Sequence, residues 1–448
     1  MKRFLILLTL LNAITVSSQS DSIPELKISS NITIPISISF TELEKITNQS
    51  LPNLIYSDTS FKDNDNDNLR CNVWKNGTLK MTSSRDNVID ISVPLKVWVE
   101  KGFGALGLMT YKSTTFQMTM KFTVVYNIHP TWNLMTKTLK NGYTWNQKPS
   151  IEFGAVVIPI TPIVENILEK NQQEYANTIN EQIKKNINLR ADITRAWNEL
   201  KMPILVSDSL KTWLRITPLS IQSTPFILRN NSIESNIGIE VISETFMGVS
   251  PVTTPATLTI PNLKYVNRLA DSFSIYTISH IPLSEATQIG KNKFIGQQFD
   301  FKEGKYHIIV DDIAIKSEQD FLVIETLVHG SINGTILLKG VPYYNPSTQS
   351  IKMKQVSFDL KTKNIFIKTF AWLFDGKIER NVESSFDIPT KDIIESSKIS
   401  TQSAFNKTYK NSYKMSGTVL DMAPQSVLIL KDKMVLVTKT TGKLKMKM

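Results

Sequence analysis

Two long stretches of the chain alternate apolar and polar side chains with little interruption. Ile89, Ile91, Val93, Leu95, Val97 and Val99 take odd positions, with Asp90, Ser92, Lys96 and Glu100 between them. Phe116, Met118, Met120, Phe122, Val124 and Tyr126 take even positions, between Gln117, Thr119, Lys121 and Thr123. A period of two predicts strands with one face on a core and the other in water, as in an antiparallel sheet. Both runs exceed the usual strand length of about 5–6 residues, and long strands twist and coil, so a strongly curved sheet is expected. Pro94, inside the first run, predicts an edge position or a bulge. In the second half, Gly330 and Gly334 predict a sharp bend within residues 322–338. The apolar phase slips between Met353 and Val356, which predicts a bulge near Gln355.

Helical periodicity is rarer. Thr41 and Glu44 have the spacing of a capping box around Leu43 and Ile46. A longer helix is predicted from Thr161 as N-cap, with Pro162 in its first turn. Its apolar stripe is Val164, Ile167, Leu168, Tyr175, Ile179, Ile183 and Ile187. A weaker counterpart starts at Thr390 and carries Ile393, Ile394 and Phe405.

The order of these elements recurs. Ile34-Pro35-Ile36 leads into the first helix, and His280-Ile281-Pro282-Leu283-Ser284 leads into another. Ile158-Pro159-Ile160 precedes the long helix, and Ile388-Pro389-Thr390 precedes its counterpart. Strand-and-turn patterns around Asn230-Asn231 and Lys431-Asp432 close the two halves. A tandem duplication is the economical reading. The expected fold is therefore α+β: two tandem units, each a long helix packed on a highly twisted antiparallel sheet. Their expected bounds are 19–247 and 263–448, joined by a linker over 248–262 where Gly248, Pro251, Pro255 and Pro261 sit among Ser and Thr. A chain of 448 residues suits two domains, and 41% hydrophobic content lets each bury a core.

The N-terminus changes the picture. Lys2-Arg3, an apolar run over residues 4–16 and the small residues Ser17-Ser18 read as a cleavable export signal over residues 1–18. The run is shorter than the roughly 20 residues of a membrane span. A periplasmic or secreted protein is expected, without a lipid anchor, because no cysteine follows the signal. Cys71 is the single cysteine, so no intramolecular disulfide forms, and a passive thiol is the expected role. The formal charge of +11 permits an anionic membrane surface as partner, but the lysines are scattered and form no nucleic-acid stripe.

Catalytic chemistry finds little support. The four histidines, His129, His280, His307 and His329, have no short metal-ligand spacing. No phosphate-cradling loop, nucleophile elbow or zincin motif is present. The acidic segment at residues 63–68 departs from a calcium loop, because Asn68 replaces the turn glycine and Trp74 stands where a bidentate Glu is needed. No cofactor, no metal and no enzymatic activity are expected.

Short structural motifs carry a resemblance. Ile34-Pro35-Ile36-Ser37, the segment from Leu189-Arg190 to Trp197, Pro203-Ile204, Trp213-Leu214-Arg215-Ile216, Ile281-Pro282-Leu283-Ser284 and Gly330-Ser331-Ile332-Asn333-Gly334-Thr335 look like those of an uncharacterised bacterial envelope family, many of whose members are lipoproteins. That family in turn resembles the tubular lipid-binding (TULIP) superfamily, which includes the bactericidal/permeability-increasing protein. The resemblance implies a helix on a curved sheet around an elongated apolar cavity, and the binding or carriage of lipid. Candidate lining residues are then Leu43, Ile46, Met118, Met120, Phe122, Ile163 and Ile167. The same side chains serve a solid core equally well. A structural or adhesive envelope protein with filled cores is the alternative.

Overall fold

The two alternating stretches fold as β5 (Val88–Ala105) and β6 (Leu108–Ile128), antiparallel and in unbroken register from Val88 opposite Val125 to Ala105 opposite Leu108. These and the following observations come from a computed structural model, which describes residues 27–62, 67–105, 108–208, 210–253, 255–301, 304–362, 387–409 and 413–447. The export signal expected over residues 1–18 lies outside the described residues, as do residues 63–66 of the acidic segment. Every inward residue of β5 from Ile89 to Val99, and of β6 from Phe116 to Tyr126, is buried. Pro94 sits at neither an edge nor a bulge. It lies opposite Thr119 of β6, and its other side falls between the stretches paired with β4 (Lys80–Arg85) and β3 (Leu69–Lys75). Its carbonyl accepts from Asn76 N–H at 2.9 Å, and no neighbouring strand there calls for the N–H that proline lacks.

The first sheet runs β2 (Leu54–Asp58), β3, β5, β6, β7 (Leu134–Trp145), with β4 on β5. The hairpin β8 (Ser150–Phe153) and β9 (Val156–Pro159) leads into α2 (Thr161–Asn186). A second sheet runs β16 (Gln298–Phe301), β17 (Tyr306–Glu318), β18 (Phe321–Gly330), β19 (Gly334–Asn345), β20 (Ser350–Lys361), β21 (Asp387–Pro389). The bend expected at Gly330 and Gly334 is the turn between β18 and β19. Gly330 has φ +121°, and a Cβ there would lie 2.8 Å from the carbonyl oxygen of His307. Gln355, with φ +54°, sits in the bulge between β19 and β20.

A central ten-stranded sheet joins the two halves. Its middle is β13 (Ser232–Met247), β1 (Ser29–Ser39), β15 (Phe273–Pro282) and β24 (Lys433–Lys447). On one side follow β11 (Thr212–Ser223) and β10 (Ile204–Ser207); on the other follow β23 (Tyr413–Ile429) and β22 (Lys407–Tyr409). β12 (Ile227–Arg229) and β14 (Lys264–Tyr265) pair at the margins.

This overturns the expected α+β fold of two tandem long-helix units. The molecule is predominantly β, with several sheets, and strands from both halves share the central one: β13 pairs parallel with β15, and β1 touches both β15 and β24. Only α2 is long. Its expected counterpart is α5 (Lys391–Phe405), and the helix after the second Ile-Pro segment is α4 (Leu283–Phe294). The reason is physical. Local periodicity specifies strands, but the pairing of their edges is decided by whichever distant strand satisfies the backbone.

The helix starts also differ from expectation. α1 (Phe40–Ser50) is capped by Ser39, whose Oγ accepts from Glu42 N–H at 3.2 Å, not by Thr41. Glu44 instead accepts from Met81 N–H at 2.7 Å, drawing α1 onto β4. For α2 the cap is Ile160 without a side-chain bond, and Thr161 is already helical. α3 (Leu189–Leu200) packs Trp197 with Trp132, Ile221 and Leu263. The described residues of 248–262 form no helix or strand. They are pinned where Asn198 Nδ2 donates to Thr257 O and Thr257 N–H donates back to Asn198 Oδ1.

Candidate functional site

The inner face of the first sheet and the helix laid on it form the largest apolar interior among the described residues. α2 begins where Pro162 can sit without an amide hydrogen to satisfy, and it turns Val164, Leu168 and Ala176 fully inward. Gln172 is buried among them. Its Nε2 donates to Gly142 O at 2.9 Å and to Lys121 O at 3.3 Å, tying the middle of α2 to the backbones of β7 and β6. Trp145 stands edge-on to Phe116 and Tyr143, with ring centres 5.7 and 5.1 Å away. On the opposite flank Tyr175 meets Tyr56 of β2, ring centres 6.1 Å apart. The helix is thus bracketed by both edges of the sheet, β7 and β2. Burial, and then the neighbouring Tyr56, push the Tyr175 hydroxyl well above its ordinary pKa.

Met118, Met120 and Phe122 are buried at 1%, 6% and 3% exposure, on the sheet side of this interior. Ile163 and Ile167 face them from α2 and are half-buried, as are Tyr175, Ile179 and Ile183 farther along. Leu43 of α1 packs against the same core. Ile46 does not join it and is 40% exposed. Beside α2, edge strand β2 exposes Leu54, Ile55 and Tyr56 at 46%, 41% and 37%. One flank of the interior therefore carries an apolar rim.

Two cavities stand out. One, of about 370 Å³, is an open surface groove between α1 and β4 lined by Thr41, Glu44, Lys45, Asn48 and Lys80, outside the apolar interior. The other, of about 70 Å³, sits at the end of that interior, between Tyr126, Asn87, Pro225, Phe226 and Tyr265. Reading the sequence found Tyr126 only as one more inward residue of β6, and it passed over Phe226 and Tyr265. The available signal was that Tyr126 is the one residue in its apolar run to end in a hydroxyl. Among the described residues no group of three or more His, Cys, Asp or Glu is placed to hold a metal ion. No described helix is long and apolar enough to cross a membrane.

A family model described as "Domain of unknown function (DUF4403)" matches residues 29–448. No curated protein matches the sequence. Among solved structures, the chain is similar to one described as the crystal structure of lipopolysaccharide binding protein, at 10% identity and a TM-score of 0.24, over 94% of this chain and 99% of that one. It is also similar to P47 from Clostridium botulinum A2, at 10% identity and a TM-score of 0.21, over 91% and 96% of the respective chains.

Proposed function

We propose that this chain, which belongs to the DUF4403 family, binds a lipid or other hydrophobic ligand outside the cytoplasm and performs no chemistry on it. The observation that carries this reading is the apolar rim of β2 beside a helix whose stripe is left half-buried at Ile167, Tyr175, Ile179 and Ile183. A hydrocarbon chain entering between β2 and α2 would cover Tyr56, Ile179 and Ile183 and continue toward Ile167 and Ile163. Each methylene taken out of water contributes about 0.8 kcal/mol, so a long acyl chain has ample driving force. Met118 and Met120 supply side chains that repack around varied shapes at little cost. The excess of cationic side chains favours approach to an anionic membrane as the source of such a ligand.

The near-complete burial of Met118, Met120 and Phe122 favours a second reading, a structural or adhesive protein whose interior is filled. Organic extraction and mass spectrometry of the purified chain separate the two. With a ligand channel, the wild type yields extractable lipid, and Met120→Trp lowers the yield with little change in melting temperature. With a filled interior, neither protein yields lipid and Met120→Trp overpacks the core by about 1–3 kcal/mol, which would overturn the carrier reading.

A further inference from the structure

Among the described residues, three buried side-chain polar atoms lack a hydrogen-bond partner: the Tyr126 hydroxyl, Thr138 Oγ1 and His280 Nδ1. Buried polar groups are nearly always paired, so each such atom calls for an explanation. His280 lies in the central sheet, on a different surface from the other two. Tyr126 and Thr138 share one surface. Tyr126 lies opposite Thr136 and Val124 lies opposite Thr138, which makes Tyr126 and Thr138 diagonal neighbours on the inner face of β6 and β7. That is the face of Met120 and Phe122. Tyr126 is 8% exposed and Thr138 3% exposed, and Tyr126 also lines the cavity of about 70 Å³.

We propose that the inner face at Tyr126 and Thr138 receives the uncharged polar end of an acyl ester, whose hydrocarbon chain runs along α2 toward Met120. This deepens the hydrophobic-ligand reading and rests on it. Met120 lies six positions before Tyr126, about 20 Å along a strand, which is close to the length of one long acyl chain. The cavity has room for a group about the size of two waters, at roughly 30 Å³ each. Both hydroxyls donate to an ester carbonyl and accept from a glycerol hydroxyl. An anionic end fits less well. Burial pushes the Tyr126 hydroxyl up to about 12 and the nearby Asp86 charge adds to the shift, and the same field opposes a carboxylate. No Lys or Arg lines the cavity to offset it.

The test uses the delipidated full chain and three probes of matched chain length: monoolein, oleate and 1-octadecene, titrated by native mass spectrometry. The wild type is expected to prefer monoolein over both others by about fivefold or more, the worth of one neutral hydrogen bond. Tyr126→Phe and Thr138→Val, each close to isosteric, are expected to cut monoolein affinity about fivefold and leave 1-octadecene unchanged. Circular dichroism identifies a variant that does not fold, and the other variant then carries the comparison. If both fail, the wild-type order of monoolein and oleate still decides. Equal binding of all three probes, tighter binding of oleate, or an unchanged monoolein affinity in folded variants would overturn the ester site while leaving hydrophobic binding intact. Failure of every probe to bind would instead sink the hydrophobic-ligand reading itself, and the ester site with it.

Discussion

The first and second sheets are built from similar antiparallel hairpins, yet their inner faces are buried to different depths. On the first, one continuous cluster extends from Phe40 through both long strands to Ala176 of α2. On the second, the described residues form a small cluster of Ile308, Val310, Ile313, Val328 and Ile332. A further group of Leu283, Leu322, Met353 and Ile429 is shared with the central sheet. The covering helices account for the difference. α2, at 26 residues, is about 39 Å long and runs beside β7 from Trp145, next to Glu165, past Gly142, which accepts from Gln172, whereas α4, at 12 residues, covers about 18 Å. α4 compensates by close approach: a Cβ on Gly290 would lie 3.4 Å from Ile313 Cγ2. Among the described residues the deeper core lies under the longer helix.

The strongest way to break this contrast is to hollow each core. Phe116 and Ile332 are both 1% exposed. Phe116→Ala should cost about 3–5 kcal/mol, because α2 and Trp145 hold the space open around it. Ile332→Ala should fall near the bottom of its range, about 2 kcal/mol, because a thin cluster collapses more easily. Urea unfolding of both variants is the measurement, and an Ile332→Ala cost equal to that of Phe116→Ala would remove the distinction.

The two halves of the chain meet at a buried charge in the central sheet, and the next largest effect is expected there. Glu244 of β13 accepts from Arg215 Nη2 at 2.6 Å and lies 3.2 Å from His280 Nε2 of β15. Phe246 stacks on the His280 ring with centres 4.8 Å apart, and the Arg215 guanidinium lies 4.6 Å from the centre of the Phe246 ring. Burial alone would raise the Glu244 pKa, but hydrogen bonds from His280 and Arg215 and the charge of Arg215 outweigh it and hold the carboxyl below its ordinary range. A depressed folded pKa means stability that is present above the unfolded value of 4.5 and lost as pH falls through the folded value. Glu244→Gln should cost about 3 kcal/mol at neutral pH by leaving Arg215 without its carboxylate. It should also flatten the acid limb of a pH–stability profile below the ordinary carboxylate range. An unchanged acid limb would show that other carboxylates set it.

Much of the first region was legible because β5 and β6 alternate without a break from Ile89 to Val99 and from Phe116 to Tyr126. The inward sets from Ile89 to Val99 and from Phe116 to Tyr126 are the observed core, and the stripe of α2 matches the predicted one as far as Ile183. The central sheet was not legible. β1 carries Ile32, Ile34, Ile36 and Ile38 at alternate positions, but alternation does not name a partner hundreds of residues away, and β15, with Phe273 and Ile278 buried, keeps no single phase. Pro94 misled because its missing N–H falls in a gap between β3 and β4, a coincidence of two short strands that no local pattern records. At the candidate site, Met118, Met120 and Phe122 could be read from the pattern, whereas the orphaned hydroxyls could not. Whether Tyr126 and Thr138 find partners depends on the register of β6 against β7.

The smallest effect sharpens the comparison at the starts of the two short helices. Each follows its strand without a loop, and each first N–H is taken by a turn of the central sheet. Phe40 N–H donates to Asn231 O at 2.8 Å, and Leu283 N–H donates to Asp432 O at 2.9 Å. The Asn231 turn is tight, with φ of +50° at Asn230 and +56° at Asn231, as in a two-residue hairpin loop. Beyond this shared anchor the helices differ. α1 has the Ser39 hydroxyl as cap, while α4 starts at Pro282, which has no side chain able to accept. Ser39→Ala should therefore cost about 1 kcal/mol, because the Glu42 N–H loses its acceptor although the Asn231 anchor remains. Pro282→Ser should gain less than that, since any cap bond it forms is set against the freedom that proline removes from the unfolded chain. Thermal melts of the two variants resolve the pair. A Ser39→Ala cost near zero would mean that the strand-to-helix turn alone fixes both starts, and the two regions would then differ only in the helix that covers them.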